Sequence, residues 1–211
     1  MLNMNHLIYT IGHSTHSLER FIMLLKEHGI TALCDVRSNP HSRVNPQFNR
    51  ERLKEALQQN RISYVFLGKE LGARTNDRSC YVGGKVQYEL LAKTELFQKG
   101  IGRIREGMKR YRLALMCAEK DPIECHRTIL VARQLDALGF PIKHILEDST
   151  LESHEHALGR LLHRLNLPDH DMFRSREVVI GDAYRIQGER IAYEANEALV
   201  HHAKLNRSAA K

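Results

Sequence analysis

Short apolar runs recur along the chain at intervals that leave room for one helix between each pair: Leu7–Ile11 (LIYTI), Ile30–Val36 (ITALCDV), Ile62–Leu67 (ISYVFL), Leu113–Met116 (LALM) and Ile142–Leu146 (IKHIL). Each run is apolar at successive positions rather than alternating, which suits a strand covered on both faces. The intervening segments carry apolar residues at helical spacing. Ser17 is placed to cap a helix presenting Leu18, Phe21, Ile22, Leu24 and Leu25 on one face, and Gly29 stands where a helix ends in positive φ. Helices are further expected over residues 49–59, 88–111, 121–138, with Pro122 at its first position, and 151–165. Ala73–Gly84, rich in turn formers, reads as a loop over a site. Strands alternating with helices predict an α/β fold: a mostly parallel sheet with helices on both faces, in a single domain of residues 1–168. Beyond Pro168 the pattern changes, and residues 169–211 read as a C-terminal helical extension packed on that domain, helical over Asp182–Ala203 and frayed over the basic end Lys204–Lys211.

Composition sets outer limits. The 211 residues suffice for one core, and no apolar run approaches the roughly 20 residues of a membrane helix. The N-terminal MLNMNHLIYTIGHS lacks the shape of a secretory signal, so a cytoplasmic protein with its four cysteines reduced is expected, with no membrane partner. A net charge of +7 favours an anionic small molecule or a nucleic acid as partner, against the alternative of a merely solvated basic surface.

In an open parallel sheet, ligands bind beyond the carboxyl ends of the strands. The residues after the predicted strands are Gly12-His13-Ser14, Asp35 with Arg37 and Ser38, then Gly68 and Glu70, then Cys117, Glu119, Cys125, His126 and Arg127, and finally Glu147 and Asp148. The fourth set is unusual, with two cysteines, a histidine, glutamates and an arginine crowded behind one buried strand. Three chemistries compete for it. Cys125 is placed in the first turn of a helix, where the helix dipole and Arg127 favour a thiolate nucleophile. Its base is better supplied by His13 than by His126, because neighbouring helical residues diverge by about 100°. Alternatively, Arg37 and Arg127 hold an anion while Asp35 or Glu119 moves a proton. A metal site from Cys117, Cys125 and a histidine is the third, although C-x7-C matches no standard zinc spacing, so no metal ligand and no cofactor is assigned. For Asp35 and Arg37 the plain structural reading is an internal ion pair. Cys34 reads as core, Cys80 as a loop residue without a partner, and Tyr9, Tyr64 and Tyr81 as packed rings that also suit stacking on a base. No G-x-G-x-x-G, P-loop or G-x-S-x-G motif occurs.

The stretches YTIGHS, DVRSNPHSR, LGKELGAR, MCAEKDPIECHR and AYRIQGERIAY together resemble the domain-of-unknown-function 488 family of bacterial and archaeal proteins, over residues 7–195. The family motifs fall on Gly12, His13, Ser14, Asp35, Arg37, Pro40, Ser42, Cys117, Glu119, Cys125, His126 and Arg127. The resemblance implies no particular reaction, though family members labelled DNA-repair-like agree with the basic charge. The combined expectation is an enzyme acting on a nucleotide, nucleic acid or other phosphorylated substrate, with Cys117, Glu119, Cys125, His13 and Asp35 near the reacting centre and Ser14, Arg37, Ser42, His126 and Arg127 holding substrate. A non-catalytic nucleotide or nucleic-acid binding module, or a Cys/His metal or redox site, is the alternative.

Overall fold

A computed structural model describes residues 7–169 and 173–195. Its main sheet has six strands in the order β3-β2-β6-β1-β7-β8, formed by β1 (Ile8–Gly12), β2 (Ala32–Asp35), β3 (Ser63–Phe66), β6 (Leu113–Cys117), β7 (Ile142–Ile145) and β8 (Leu151–Ser153). The first five are parallel, and β8 closes one edge antiparallel to β7. The predicted α/β class therefore holds.

The strands separate two cores by their period of two. In β6, Leu113, Leu115 and Cys117 face one apolar cluster while Ala114 and Met116 face the other. Helices α1 (Leu18–Glu27) and α2 (Arg50–Gln59) cover the second cluster with Phe21, Leu24, Leu25, Leu53 and Leu57. The opposite face is covered by α5 (Glu95–Met108), α6 (Arg133–Ala137), α7 (His154–Arg164) and α8 (Arg176–Ile191), together with the short α3 (Gly68–Leu71) and α4 (Tyr88–Ala92). Each fully buried Leu or Phe in these layers contributes about 1.5–3 kcal/mol. Among the described residues no helix is long and apolar enough to cross a membrane.

Ser17 caps α1 by accepting from the Arg20 amide, and Gly29 takes φ +62° beyond it, both as expected. Several segments differ from expectation, each for a physical reason. The predicted 88–111 helix is two, because Thr94 leaves helical geometry to cap α5 through its hydroxyl on the Phe97 amide. Ala73–Gly84 is not all loop: β4 (Tyr81–Val82) and β5 (Lys85–Val86) form a hairpin whose turn glycines, Gly83 and Gly84, adopt φ +57° and +80°. The 151–165 segment starts as β8 before α7. The C-terminal helix begins at Arg176, earlier than the expected Asp182, and ends at Ile191 with Ala192 extended; the expected helix over residues 196–203 and the Lys204–Lys211 end lie outside the described residues. The predicted third strand is not buried on both sides, since β3 is an edge strand and partly exposed.

The largest departure follows β6. Pro122 opens only a three-residue 3₁₀ turn, Pro122–Glu124, after which Cys125 is extended at φ −132°, ψ 140°. The helix begins beyond it as a π-helical stretch, Arg127–Ala132, before α6. Cys125 therefore precedes the helix rather than lying in its first turn, and its carbonyl accepts the Thr128 and Ile129 amides.

Candidate functional site

Strands β1 and β6 lie side by side, with Gly12 opposite Cys117. The helix leaving β1 packs on one face of the sheet and the helix leaving β6 on the other, so the two loops part between these strands. This is the switch point at which open α/β sheets form their crevice. Two backbone bonds tie the parting loops: the His13 amide donates to Cys117 O at 2.9 Å and the Ser14 amide to Ala118 O at 2.9 Å. Gly12 is required by this approach, since a Cβ there would collide with the Glu119 carbonyl.

Directly beyond β6, Cys117 Sγ, Glu119 Oε, Cys125 Sγ and a ring nitrogen of His126 all lie within 4.8 Å of one another. His126 Nδ1 is 3.5 Å from Cys117 Sγ and 3.9 Å from Cys125 Sγ, and Cys125 Sγ–H donates to Glu119 Oε2 at 2.8 Å. The extended conformation of Cys125 explains the convergence. Continuing as helix, Cys125 and His126 would diverge as the sequence suggested; with Cys125 extended, both turn to the same point. His126 Nε2 donates to Val36 O at 2.9 Å, which leaves Nδ1 as the unprotonated lone pair facing the sulfurs. Cys117, Cys125 and His126 are buried, whereas Glu119 is exposed as a residue and turns its carboxyl inward.

The electrostatics follow from the crowding. Burial pushes the Cys117 thiol well above its ordinary value. Desolvation of its carboxyl and the neighbouring Cys125 sulfur raise Glu119. Burial opposes a charged Cys125, but the hydrogen bond from Cys117, the Arg127 guanidinium and His126 outweigh it and hold this thiol well below the usual range. Burial also opposes an imidazolium at His126, and the contact with Cys125 reverses that, raising it. The groups are held where each shifts the protonation of the others.

The remaining sequence candidates fall into a supporting ring. Asp35 is fully buried and accepts Arg37 Nε at 2.9 Å, Arg37 Nη2 at 2.7 Å and the Tyr64 hydroxyl at 2.8 Å. Arg37 Nη2 also donates to Phe48 O, and Nη1 lies 3.2 Å from His13 Nε2. Asp35 and Arg37 thus form the internal ion pair. His13 stacks on Phe48 at 4.3 Å between centroids, donates from Nδ1 to Ser14 O, and is lowered by burial to about 4, so it is a neutral acceptor for Arg37. It bonds to neither thiol. Arg127 donates to Glu119 O at 2.6 Å and Lys120 O at 3.1 Å from a fully buried position, shaping the loop that carries Glu119. Ser14, at φ +48°, shapes the β1 loop, while Ser42 accepts the Val44 and Asn45 amides in the β2–α2 connection, away from the cluster.

A pocket of about 270 Å³ opens over the cluster, with Cys117, Glu119, His126 and Arg37 among its walls. The expected loop over a site supplies Ala73 and Arg74 to its walls, while the sequence reading singled out none of Arg74, Tyr88, Glu124 or Tyr193 as site residues. Arg74 follows α3, and its guanidinium lies 4.5 Å from the Tyr193 ring centroid. Tyr193 is brought there because residues 193–195 add to the hairpin: Val86 N donates to Tyr193 O and Ala195 N to Gly84 O. Tyr9, Tyr64 and Tyr81, the rings singled out in the sequence, are not among the pocket walls.

Neither a curated protein nor a solved structure matches the chain. A family profile does: the one described as Domain of unknown function DUF488 matches residues 17–134. The span is narrower than the 7–195 of the motif resemblance, leaving His13 and Tyr193 outside it, but it takes in Asp35, Arg37, Arg74 and the whole Cys117–Arg127 segment. It covers more than half of the chain, which therefore belongs to the DUF488 family.

Proposed function

We propose that this protein is an enzyme that hydrolyses a small anionic substrate carrying a planar ring, of the nucleotide class. The observation that supports this reading best is the composition of one pocket: Arg74, the ion-paired Arg37, two tyrosines and Glu124 on the wall, and Glu119 with Cys117 and His126 at the floor. Its volume of about 270 Å³ is at the small end of ligand sites, which suits one nucleotide or phosphorylated unit rather than a duplex. Arg74 has no acidic partner among the described residues and can meet a phosphate from its place over the Tyr193 ring, whose other face is left to a base; Tyr88 is buried and adds apolar wall.

Glu119 is the group placed to move a proton, since its carboxyl reaches the floor while the residue stays open to solvent. Its carboxylate takes a proton from the attacking water, the new bond to oxygen forms at the electrophilic centre, and the bond to the leaving group breaks with its electron pair. The proton then passes to that group. A covalent role for Cys125 is less favoured, because its sulfur is buried behind Cys117 and forms no part of the pocket wall.

Binding measurements with inorganic phosphate, a nucleoside monophosphate and a short single strand test this reading. The monophosphate is expected to bind best, and Arg74→Ala to weaken it by about tenfold or more, the worth of one charge-assisted contact. Equal binding by wild type and Arg74→Ala, or no binding of any anion, would overturn it.

A further inference from the structure

We infer that Cys117, Cys125 and His126, closed by Glu119, form a binding site for a thiophilic divalent transition-metal ion of the zinc class. Two sulfurs, one imidazole nitrogen and one carboxylate oxygen suit zinc or ferrous iron and not magnesium or calcium, which prefer all-oxygen shells. The spacing agrees. Zinc bonds of about 2.3 Å to sulfur and 2.0–2.1 Å to nitrogen or oxygen, at tetrahedral angles, place ligand atoms about 3.3–3.8 Å apart. The sulfur-to-imidazole separations are 3.5 and 3.9 Å and fit directly; the Cys125 sulfur and Glu119 oxygen, now hydrogen-bonded at 2.8 Å, move apart when both turn to an ion, and all four ligand atoms already lie within 4.8 Å of one another.

Three further observations point the same way. The Val36 carbonyl fixes His126 through Nε2, the outer-shell bond that orients a metal-bound imidazole and turns the opposite lone pair to the ion. Cys125 is extended between a 3₁₀ turn and a π-helical segment, and that interruption is what brings its sulfur beside Cys117; π-helical turns occur often at functional sites. Both cysteines are free thiols although their sulfurs lie close enough to share an ion.

The local sequence is C-x-E-x5-C-H, with ligands from a strand end, its loop and the start of the next helix. This explains why spacing between the cysteines alone gave no zinc signature. Three ligands are buried and Glu119 faces the pocket, so the carboxylate is the ligand that yields its place to water or substrate. A site of this form, three fixed ligands and one exchangeable position, is the catalytic rather than the structural pattern. The assignment stands on ligand geometry and does not require the substrate class proposed above.

The test uses the full chain, purified anaerobically without metal-affinity resin, stripped with chelator and reloaded with cobalt(II). One cobalt per chain is expected, with the visible bands of a tetrahedral ion and a near-ultraviolet thiolate-to-cobalt charge-transfer band. Cys117→Ser and Cys125→Ser should each weaken binding by at least about 100-fold and lower that band. Glu119→Ala should retain the ion, and its visible spectrum should then shift at a lower azide concentration than wild type needs, since no carboxylate has to be displaced. Should the serine variants not fold, alkylation of the wild-type thiols decides: zinc should slow reaction at Cys117 and Cys125 by tenfold or more and leave Cys34 and Cys80 unaffected. Less than a tenth of an equivalent of cobalt after reloading, or thiol reactivity indifferent to zinc, would overturn the assignment whatever the outcome of the nucleotide measurements.

Discussion

Two buried histidine networks lie on the two sides of β1 and solve opposite problems. On the β7 side, Thr10 Oγ1, His144, His154 and the Tyr184 hydroxyl form one chain at 2.8, 3.1 and 2.8 Å. Each ring nitrogen meets one partner, and neither histidine is among the pocket walls. On the β6 side, two thiols, a carboxylate and an imidazole converge on one point beneath a pocket, each disturbing the protonation of the next. The first network spends its polar groups on holding α7 and α8 to the sheet. The second holds groups in a state that an added ion or substrate relieves. A buried histidine therefore marks structure when its bonds are complete and chemistry when they converge and remain open.

The comparison can be broken at several places. The largest effect belongs to the ring that supports the cluster: Arg37→Met strands the Asp35 carboxylate at zero exposure, and loss of about 3–5 kcal/mol in urea unfolding is expected. A cost below about 1 kcal/mol would mean that Asp35 takes up a proton or finds water, and that the pair does not hold the β2 end. Next comes His154→Ala, which leaves His144 Nε2 and the Tyr184 hydroxyl without their partners and opens space under α8, for about 2–4 kcal/mol. Glu119→Gln, by contrast, should cost nothing measurable.

The pH dependence follows with its sign. Burial lowers His144 well below the ordinary histidine value of 6.5, helped by mutual exclusion of charge with His154 and by the Arg127 and Arg160 guanidinium groups. Burial also lowers His154, against an opposing pull from Asp136. Below about pH 6.5 the unfolded chain binds protons on these rings that the folded chain refuses, so stability should fall as pH drops from 7 toward 5. The urea midpoint at the two pH values measures this, and His154→Phe should flatten the profile. A wild-type midpoint that rises on acidification would contradict the buried neutral chain. The smallest effect is expected on the pocket wall, where Arg74→Ala should alter the melting temperature by no more than about 2 °C, since surface changes stay within about 0.5 kcal/mol.

The fold was legible wherever local pattern and tertiary role agreed. The apolar runs are the five parallel strands, and β1, β2 and β6 read most clearly because a strand between two helical layers has no solvent face to advertise. The residues behind Leu113–Met116 collect at the site because the rule about strand ends is geometric. What escaped needed partners distant in sequence. β8 is three residues, LES, with a glutamate at its centre that is buried only because Arg160 and His156 meet it. Cys125 leaves helical geometry within a segment that reads as helix, and no local residue announces it. Arg74 and Tyr193 are joined only when residues 193–195 pair with the hairpin. One signal was present and passed over: Gly83-Gly84 between YV and KV is the two-residue turn that a hairpin favours.

The central claim is that the Cys117, Glu119, Cys125 and His126 cluster serves chemistry and not stability. Thermal unfolding of chelator-treated Glu119→Gln against chelator-treated wild type tests it most directly, because the substitution removes the charge that the two sulfurs resist while keeping shape. The account predicts a melting temperature equal to wild type or raised by a few degrees, the stability that a functional site gives up. A fall as large as that of His154→Ala would show that the cluster is a structural network like its neighbour across β1.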